Sequence, residues 1–288
     1  MLIAELPQVR IGGRPAVVAA IGSCRIYQPL MSVFSNSRLK MSCWPCAPFT
    51  YSPGESLQYF EFCRGLRQIP QWLWPYVFSD AKVAMPTPAL REAMDRADFF
   101  VVEISTLDQL IFEQVVFNWN ELGGKFVRGQ GEALLLWWRE LTDRSSRKAS
   151  PQSVERVLAS RAKAGEETPP EVIGLLSEIR FETLDASSLR EMLGRIAFDT
   201  SKKWTFVSHF NLASEGAEMM PDRQTLLESL REAAAALGHA VFDPTPLVER
   251  FDYRKALRGN GADKHHYADG FNSEIGLALV EHACAIAP

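Results

Sequence analysis

The stretch Ala16-Val17-Val18-Ala19-Ala20-Ile21-Gly22-Ser23-Cys24-Arg25-Ile26-Tyr27 decides the fold. Its first six residues form a continuous apolar run, the pattern of a strand buried on both faces of a parallel sheet. The run breaks at a corner of small residues, Gly22-Ser23-Cys24, and Arg25 to Leu30 can open a helix that Pro29 limits. Strand, sharp turn and helix start together raise a nucleophile onto the rim of an α/β sheet. There the helix N-terminus lowers the pKa of a thiol and presents N–H groups to an oxyanion. The plain alternative is a tight βα turn whose small residues merely fit.

Outward from this corner, Asp98 to Ile104 and Lys203 to His209 repeat the buried-strand pattern, and His239 to Asp243 makes a last strand that Pro244 stops. Arg38 to Ser42 is a candidate short strand. Glu55 to Leu66, Pro88 to Ala97, Asp222 to Leu237 and Ser273 to Ala287 have helical spacing, and Gly238 caps the third of these. Strands alternating with helices predict a parallel sheet with right-handed crossovers. From Asp108 to about Leu193 the character turns helical. Leu107 to Trp119, Gly131 to Leu141 and Glu171 to Arg180 read as helices, with a solvated helix-and-linker region between Asp143 and Pro170. This block is longer than an ordinary crossover. The chain therefore reads as one α/β domain over residues 1–288 with a helical insertion at about 108–195.

A chain of 288 residues, 47% hydrophobic and 23% charged, buries a substantial core. Its net charge of −4 gives no basic footprint for nucleic acid. The first residues lack a signal-peptide pattern, and no apolar run is long enough to span a membrane. Five cysteines, an odd and sparse set, favour a reducing compartment over a disulfide scaffold, so the expected location is cytoplasmic.

In open parallel sheets the site lies beyond the carboxyl ends of the strands. The residues there are Gly22-Ser23-Cys24, Ser105-Thr106-Leu107-Asp108 and His209-Phe210-Asn211. The loop after the last strand adds Asp263-Lys264-His265-His266-Tyr267. Asp263 precedes His266 by three residues, a spacing that lets a carboxylate reach Nδ1 and leave Nε2 facing a nucleophile. The same residues can also be a polar surface loop with Asp263 as a cap. Arg25 suits either a substrate carboxylate or phosphate or a surface ion pair.

A strand followed by Gly-Ser-Cys near the N-terminus, with Asp-x-x-His before a final helix, resembles the SGNH, or GDSL-type, hydrolase superfamily. The match is closest to its divergent cysteine-containing branch, the GSCFA-type and WcbI-like polysaccharide biosynthesis proteins. Thr50 to Gln58 is similar to a second segment of that branch, and Asp263 to Ile275 to its closing motif. The resemblance implies a flavodoxin-like three-layer sandwich around a parallel sheet of about five strands. It implies Cys24 as nucleophile, with Ser23 as its competitor, His266 as base and Asp263 as orienter. The family's oxyanion Asn is absent from Ser105-Thr106-Leu107-Asp108. The N–H groups of Ser23, Cys24 and Arg25, with Ser52, Ser105, Thr106, His209 and Asn211, are therefore the candidates for oxyanion and substrate contacts.

The implied activity is that of an esterase or acyltransferase on a small ester, thioester or acylated glycan. No cofactor is called for beyond acyl-CoA as a donor. The alternative is a binding module of the same fold that holds acyl-CoA or a glycan without turnover. Cys43-Trp44-Pro45-Cys46 invites a redox or metal reading, which the following Pro48, Pro53 and Gly54 disfavour. Asp263, His265, His266 and His209 form a candidate metal set without a second spaced pair, so no metal is assigned. Trp72 to Trp74, Trp119, Trp137 and Trp138 are either a sugar-binding face or core. The oligomeric state is left open.

Overall fold

The computed structural model describes residues 2–35, 41–43, 49–78, 88–198, 201–211, 221–263 and 265–285. Its strands are β1 (Leu2–Ile11), β2 (Arg14–Ile21), β3 (Met41–Cys43), β4 (Phe99–Ile104), β5 (Asp108–Phe112), β6 (Val115–Phe117), β7 (Arg180–Thr183), β8 (Lys203–Ser208) and β9 (Ala240–Phe242). The chain divides into two compact units. One comprises Met1–Arg67, Lys82–Leu107 and Asp185–Pro288, the other Gln68–Ala81 and Asp108–Leu184.

The first unit is built on a six-stranded sheet in the order β3-β1-β2-β4-β8-β9. The strands β2, β4, β8 and β9 are mutually parallel. Alternate residues of β2 and β4, among them Val18, Ala20, Phe99 and Val101, pack with Ile26, Leu30 and Leu279 in one core cluster. Ile26 and Leu30 lie on helix α1 (Cys24–Ser35), and Leu279 lies on the closing helix Asp269–Ala285. On the other side Phe100 stacks on Trp204 at 4.1 Å, and Phe60 of helix α2 (Pro53–Cys63) meets both rings edge-on. A strand walled on both sides must be apolar at every position, which is why Ala16 to Ile21 reads as a continuous run.

Two strands depart from the all-parallel expectation. The strand β1 pairs antiparallel with β2 through a tight turn at Gly12 and Gly13, and β3 pairs antiparallel with β1. The turn residues have φ of +58° and +81°, the left-handed geometry that a two-residue hairpin needs and that glycine supplies without strain. The parallel part is thus four strands rather than about five. The strand β3 runs in the direction of β2 but is separated from it by β1. Chain flow leaves β2 toward β3 on one side, whereas β4 leads to β8 and β9 on the other. The crevice of such a sheet opens between the carboxyl ends of β2 and β4.

The second unit corrects the helical reading of Leu107 to Trp119. That segment is the hairpin β5–β6, and with β7 it makes a three-stranded antiparallel sheet in the order β6-β5-β7. Its apolar positions are Leu110, Ile111, Phe112, Val115, Val116 and Phe117, mostly β-branched or aromatic, which favours a pleated surface. Asp108 is held by Arg144 Nη2 at 2.7 Å and by the Thr183 hydroxyl at 2.6 Å. Helices Glu132–Leu141, Pro151–Lys163 and Pro170–Glu178 form as the spacing predicts. Trp137 is fully buried and donates to the Leu176 carbonyl at 3.0 Å, whereas Trp72, Trp74, Trp119 and Trp138 are half-buried, with Trp119 packed on Trp138 at 5.3 Å. Cys46 lies outside the described residues, so the Cys-x-x-Cys segment receives no structural account.

Candidate functional site

The corner after β2 is held from below by a carboxylate. Glu103, the penultimate residue of β4, accepts from the Ser23 N–H at 2.6 Å and the Ser23 hydroxyl at 2.7 Å, both at Oε2. Its Oε1 accepts from Arg25 Nε at 2.6 Å and the Ser105 hydroxyl at 2.8 Å. Arg25 Nη2 also donates to Ser105 Oγ at 2.7 Å. Gly22 is required by close approach: a Cβ there would stand 2.6 Å from Glu103 Cβ and 2.8 Å from Oε2. The segment Thr50–Tyr51 ties the strand ends together. The Thr50 N–H donates to the Gly22 carbonyl at 3.3 Å, and the N–H groups of Ser105 and Thr106 donate to the Tyr51 carbonyl at 2.7 and 3.2 Å.

These contacts fix the surroundings of the candidate residues at the corner. Arg25 pairs with Glu103 at 2.6 Å, its side chain 10% exposed, rather than forming a surface ion pair. The Ser23 side chain is 1% exposed, and its proton points at a carboxylate. Cys24, which begins α1, is a half-buried free thiol. Burial pushes this thiol up, the charge of Glu103 adds to that, and the Arg25 charge pulls against both. Burial is the largest of these effects. Of the three corner N–H groups, Ser23's is engaged by Glu103 and Arg25's donates to Ser23 Oγ at 3.3 Å. Cys24's own N–H and the Ser23 hydroxyl interact with the Cys24 sulfur, and both pull the thiol down by less than burial pushes it up.

The closing loop carries the second half of the site. The Asp263 N–H donates to the Arg258 carbonyl and the Arg258 N–H to the His266 carbonyl, both at 3.1 Å, so the loop folds on itself. Within it His266 Nδ1 donates to Asp263 Oδ2 at 2.8 Å, and the His265 N–H donates to Oδ1 at 2.9 Å. Burial pushes the Asp263 carboxyl up, but these two bonds outweigh it and hold it below its ordinary value. With Nδ1–H facing a carboxylate, Nε2 of His266 carries the lone pair. Tyr267 anchors the loop, packing its ring on Phe210 at 5.4 Å just past β8. Burial drives the Tyr267 hydroxyl far up, and the Arg25 charge pulls it back only in part. Arg258 Nη2 reaches Gln28 Oε1 on α1 at 3.5 Å.

His209 is buried beside this loop, with Nδ1–H on the Phe210 carbonyl at 2.8 Å and its ring 5.9 Å from that of His265. Desolvation, with the charges of Arg25 and Arg223 behind it, keeps His209 neutral. Arg223 donates to the Phe210 carbonyl at 3.0 Å, and its guanidinium is pushed down to about 10 by burial and by Arg25.

Asp263 and His266 are thus joined as their spacing predicts, whereas no hydrogen bond joins His266 to the Cys24 thiol among the described residues. Several proposed oxyanion donors are engaged elsewhere. Ser52 caps α2, accepting from the Glu55 N–H at 3.2 Å, and Asn211 Nδ2 donates to Gln224 at 3.3 Å. No set of three or more His, Cys, Asp or Glu side chains among the described residues is arranged to hold a metal. Glu103 and Arg223 were not singled out from the sequence. A signal for Glu103 was present: one carboxylate in the otherwise apolar run Phe99-Phe100-Val101-Val102-Glu103-Ile104 must find a buried partner.

Comparison with known proteins gives two matches. A family described as the TviD N-terminal domain matches residues 16–282. The chain is also similar to the Vi polysaccharide biosynthesis protein TviD of Salmonella typhi, at 24% identity over 265 residues. That alignment covers 91% of this chain and 31% of the relative, so the chain spans under a third of that protein's length. No solved structure matches.

Proposed function

The chain belongs to the TviD N-terminal domain family, and from that premise we propose that it is an SGNH-like esterase or acyltransferase of polysaccharide biosynthesis. Its nucleophile is Cys24, its base His266 and its orienter Asp263. The observation that carries this reading is the 2.8 Å bond from His266 Nδ1 to Asp263 Oδ2, which leaves Nε2 as a base. The ring contact between Tyr267 and Phe210 and the Arg258–Gln28 bond support its lying on the rim where α1 begins.

A thiol held up by burial rests protonated, so the nucleophile is made at the moment of attack. The sulfur forms a bond to the ester or thioester carbonyl carbon as its proton passes to His266 Nε2. Asp263 stabilises the imidazolium, and the Cys24 N–H donates to the oxyanion. Collapse breaks the bond to the leaving alkoxide or thiolate, which takes the proton back from His266. Water or a sugar hydroxyl then attacks the acyl-cysteine with His266 again receiving the proton, and the thiol is restored. The name of the relative suggests a glycan as acceptor or substrate.

The test is turnover of a nitrophenyl acetate, acetyl-CoA and acetylated sugars by wild type, Cys24→Ala and His266→Ala. Each variant is expected to lose about a hundredfold or more. Wild-type turnover by Cys24→Ala overturns the reading. A second reading, a binding module for acyl-CoA or glycan, is favoured by the lack of a Cys24–His266 hydrogen bond. It predicts calorimetric binding of acetyl-CoA with no turnover on any of these substrates.

A further inference from the structure

Glu103 is 1% exposed and receives four hydrogen bonds, two from Ser23, one from Arg25 and one from Ser105. Cys24 sits between the first two of these residues. A buried carboxylate and guanidinium contribute little net stability once their desolvation is counted, so the pair is poorly explained as a device for folding. It is well explained by what it grips. The Oε2 atom holds both the backbone and the side chain of Ser23, and the missing Cβ of Gly22 makes room for it.

We propose that Glu103 is a positioning residue for the Cys24 thiol, and that the Glu103–Arg25 pair is a charge-balanced clamp that fixes the corner and offsets the pull of Arg25 on the thiol proton. The inference rests on the reading of Cys24 as the nucleophile. The groups facing the thiol come from three elements. Arg25 on α1 and Glu103 on β4 act on it with opposite signs, and Tyr267 and Arg258 of the closing loop lie within electrostatic reach. A lone Arg25 beside Cys24 would favour the thiolate at rest. With Glu103 in place the thiol keeps its proton until a base removes it, and the bonds to Ser23 and Arg25 hold the residues on either side of Cys24.

The test is the pH dependence of iodoacetamide alkylation at Cys24, read by mass spectrometry on the full chain. In Glu103→Gln the Ser23 bonds keep an acceptor but the charge is gone. The alkylation midpoint should fall by about one pH unit, the size of one nearby charge at an effective dielectric of about 20 to 40. In the double variant Glu103→Gln, Arg25→Gln the midpoint should return to within a few tenths of wild type. A midpoint unmoved in folded Glu103→Gln overturns the clamp. So does a double variant as low as the single one, because loosening of the corner would then explain both.

If Glu103→Gln does not fold, Glu103→Asp decides. It keeps the charge but falls one methylene short of Ser23, so the midpoint should hold while kcat drops about tenfold with KM unmoved. A wild-type kcat in Glu103→Asp overturns the positioning role. Alkylation needs no substrate. The expected midpoints in a protein without ester turnover would sink the enzymatic reading and leave the clamp standing.

Discussion

Asp263 divides its two oxygens between His265 and His266, with Oδ1 on a backbone N–H and Oδ2 on Nδ1. In Asp263→Asn the remaining oxygen can satisfy only one of them. If the amide nitrogen faces His266, the ring must carry its proton on Nε2 and ceases to be a base. We expect kcat on the ester and thioester panel to fall about 10²- to 10⁴-fold. Melting temperature should barely move, because both side chains are about one-third exposed. An unchanged kcat removes Asp263 from the mechanism. The pair was legible in the sequence because three residues of separation make its geometry local. The bond between Glu103 and Arg25 spans 78 residues and depends on β2 lying beside β4. No local pattern encodes it, although the isolated carboxylate in an apolar strand announces that some partner exists.

Helix α2 shows how a plausible site residue can serve its own element instead. Ser52 is fully buried, accepts from the Glu55 N–H at 3.2 Å and donates to Glu55 Oε1 at 3.2 Å, and Pro53 follows at the first helical position. These are the parts of a helix N-terminus, and all of them are visible in Ser52-Pro53-Gly54-Glu55. Ser52→Ala should cost about 1 kcal/mol, or about 2 to 4 °C in melting temperature. A loss of turnover with the melting temperature unchanged would return Ser52 to the chemistry. Strand and helix are harder to tell apart where apolar residues cluster. The hairpin β5–β6 presents two triplets separated by Glu113 and Gln114, a spacing that also fits a helical face. Glu113 adopts φ of +53°, a turn conformation that its residue type does not advertise. The strand β1 was hidden for a different reason. Pro7 sits in it, within the register shift between Leu6 and Arg10, and proline argues against a strand unless a bulge receives it. The Gly12-Gly13 pair was the available signal.

At the scale of the whole molecule, the apolar runs and their order were enough to predict the parallel strands β2, β4, β8 and β9. The antiparallel β1 and β3 depend on pairing that no run length reveals. The first unit is tied through β4 at both ends by carboxylates of different character. Glu103 closes the carboxyl end in the core. At the amino end Asp98 takes both Nη atoms of Arg14 at 2.8 Å and the Val17 N–H at 2.9 Å, while its own N–H donates to the Val17 carbonyl at 2.8 Å. Partial burial pushes the Asp98 carboxyl up, but the Arg14 and Val17 bonds outweigh it and leave it below its ordinary value. A group depressed in the folded state stabilises above its unfolded pKa, about 3.9 for Asp, and that stability is lost as pH falls through the folded value. Because Arg14 is half exposed, the contribution is about 1 kcal/mol rather than several. Urea unfolding should therefore find Asp98→Asn about 1 kcal/mol less stable than wild type at neutral pH. The two should converge by about pH 2, where wild-type Asp98 is itself protonated. A gap that persists undiminished in acid would mean that shape and hydrogen bonding at this corner matter and the charge does not.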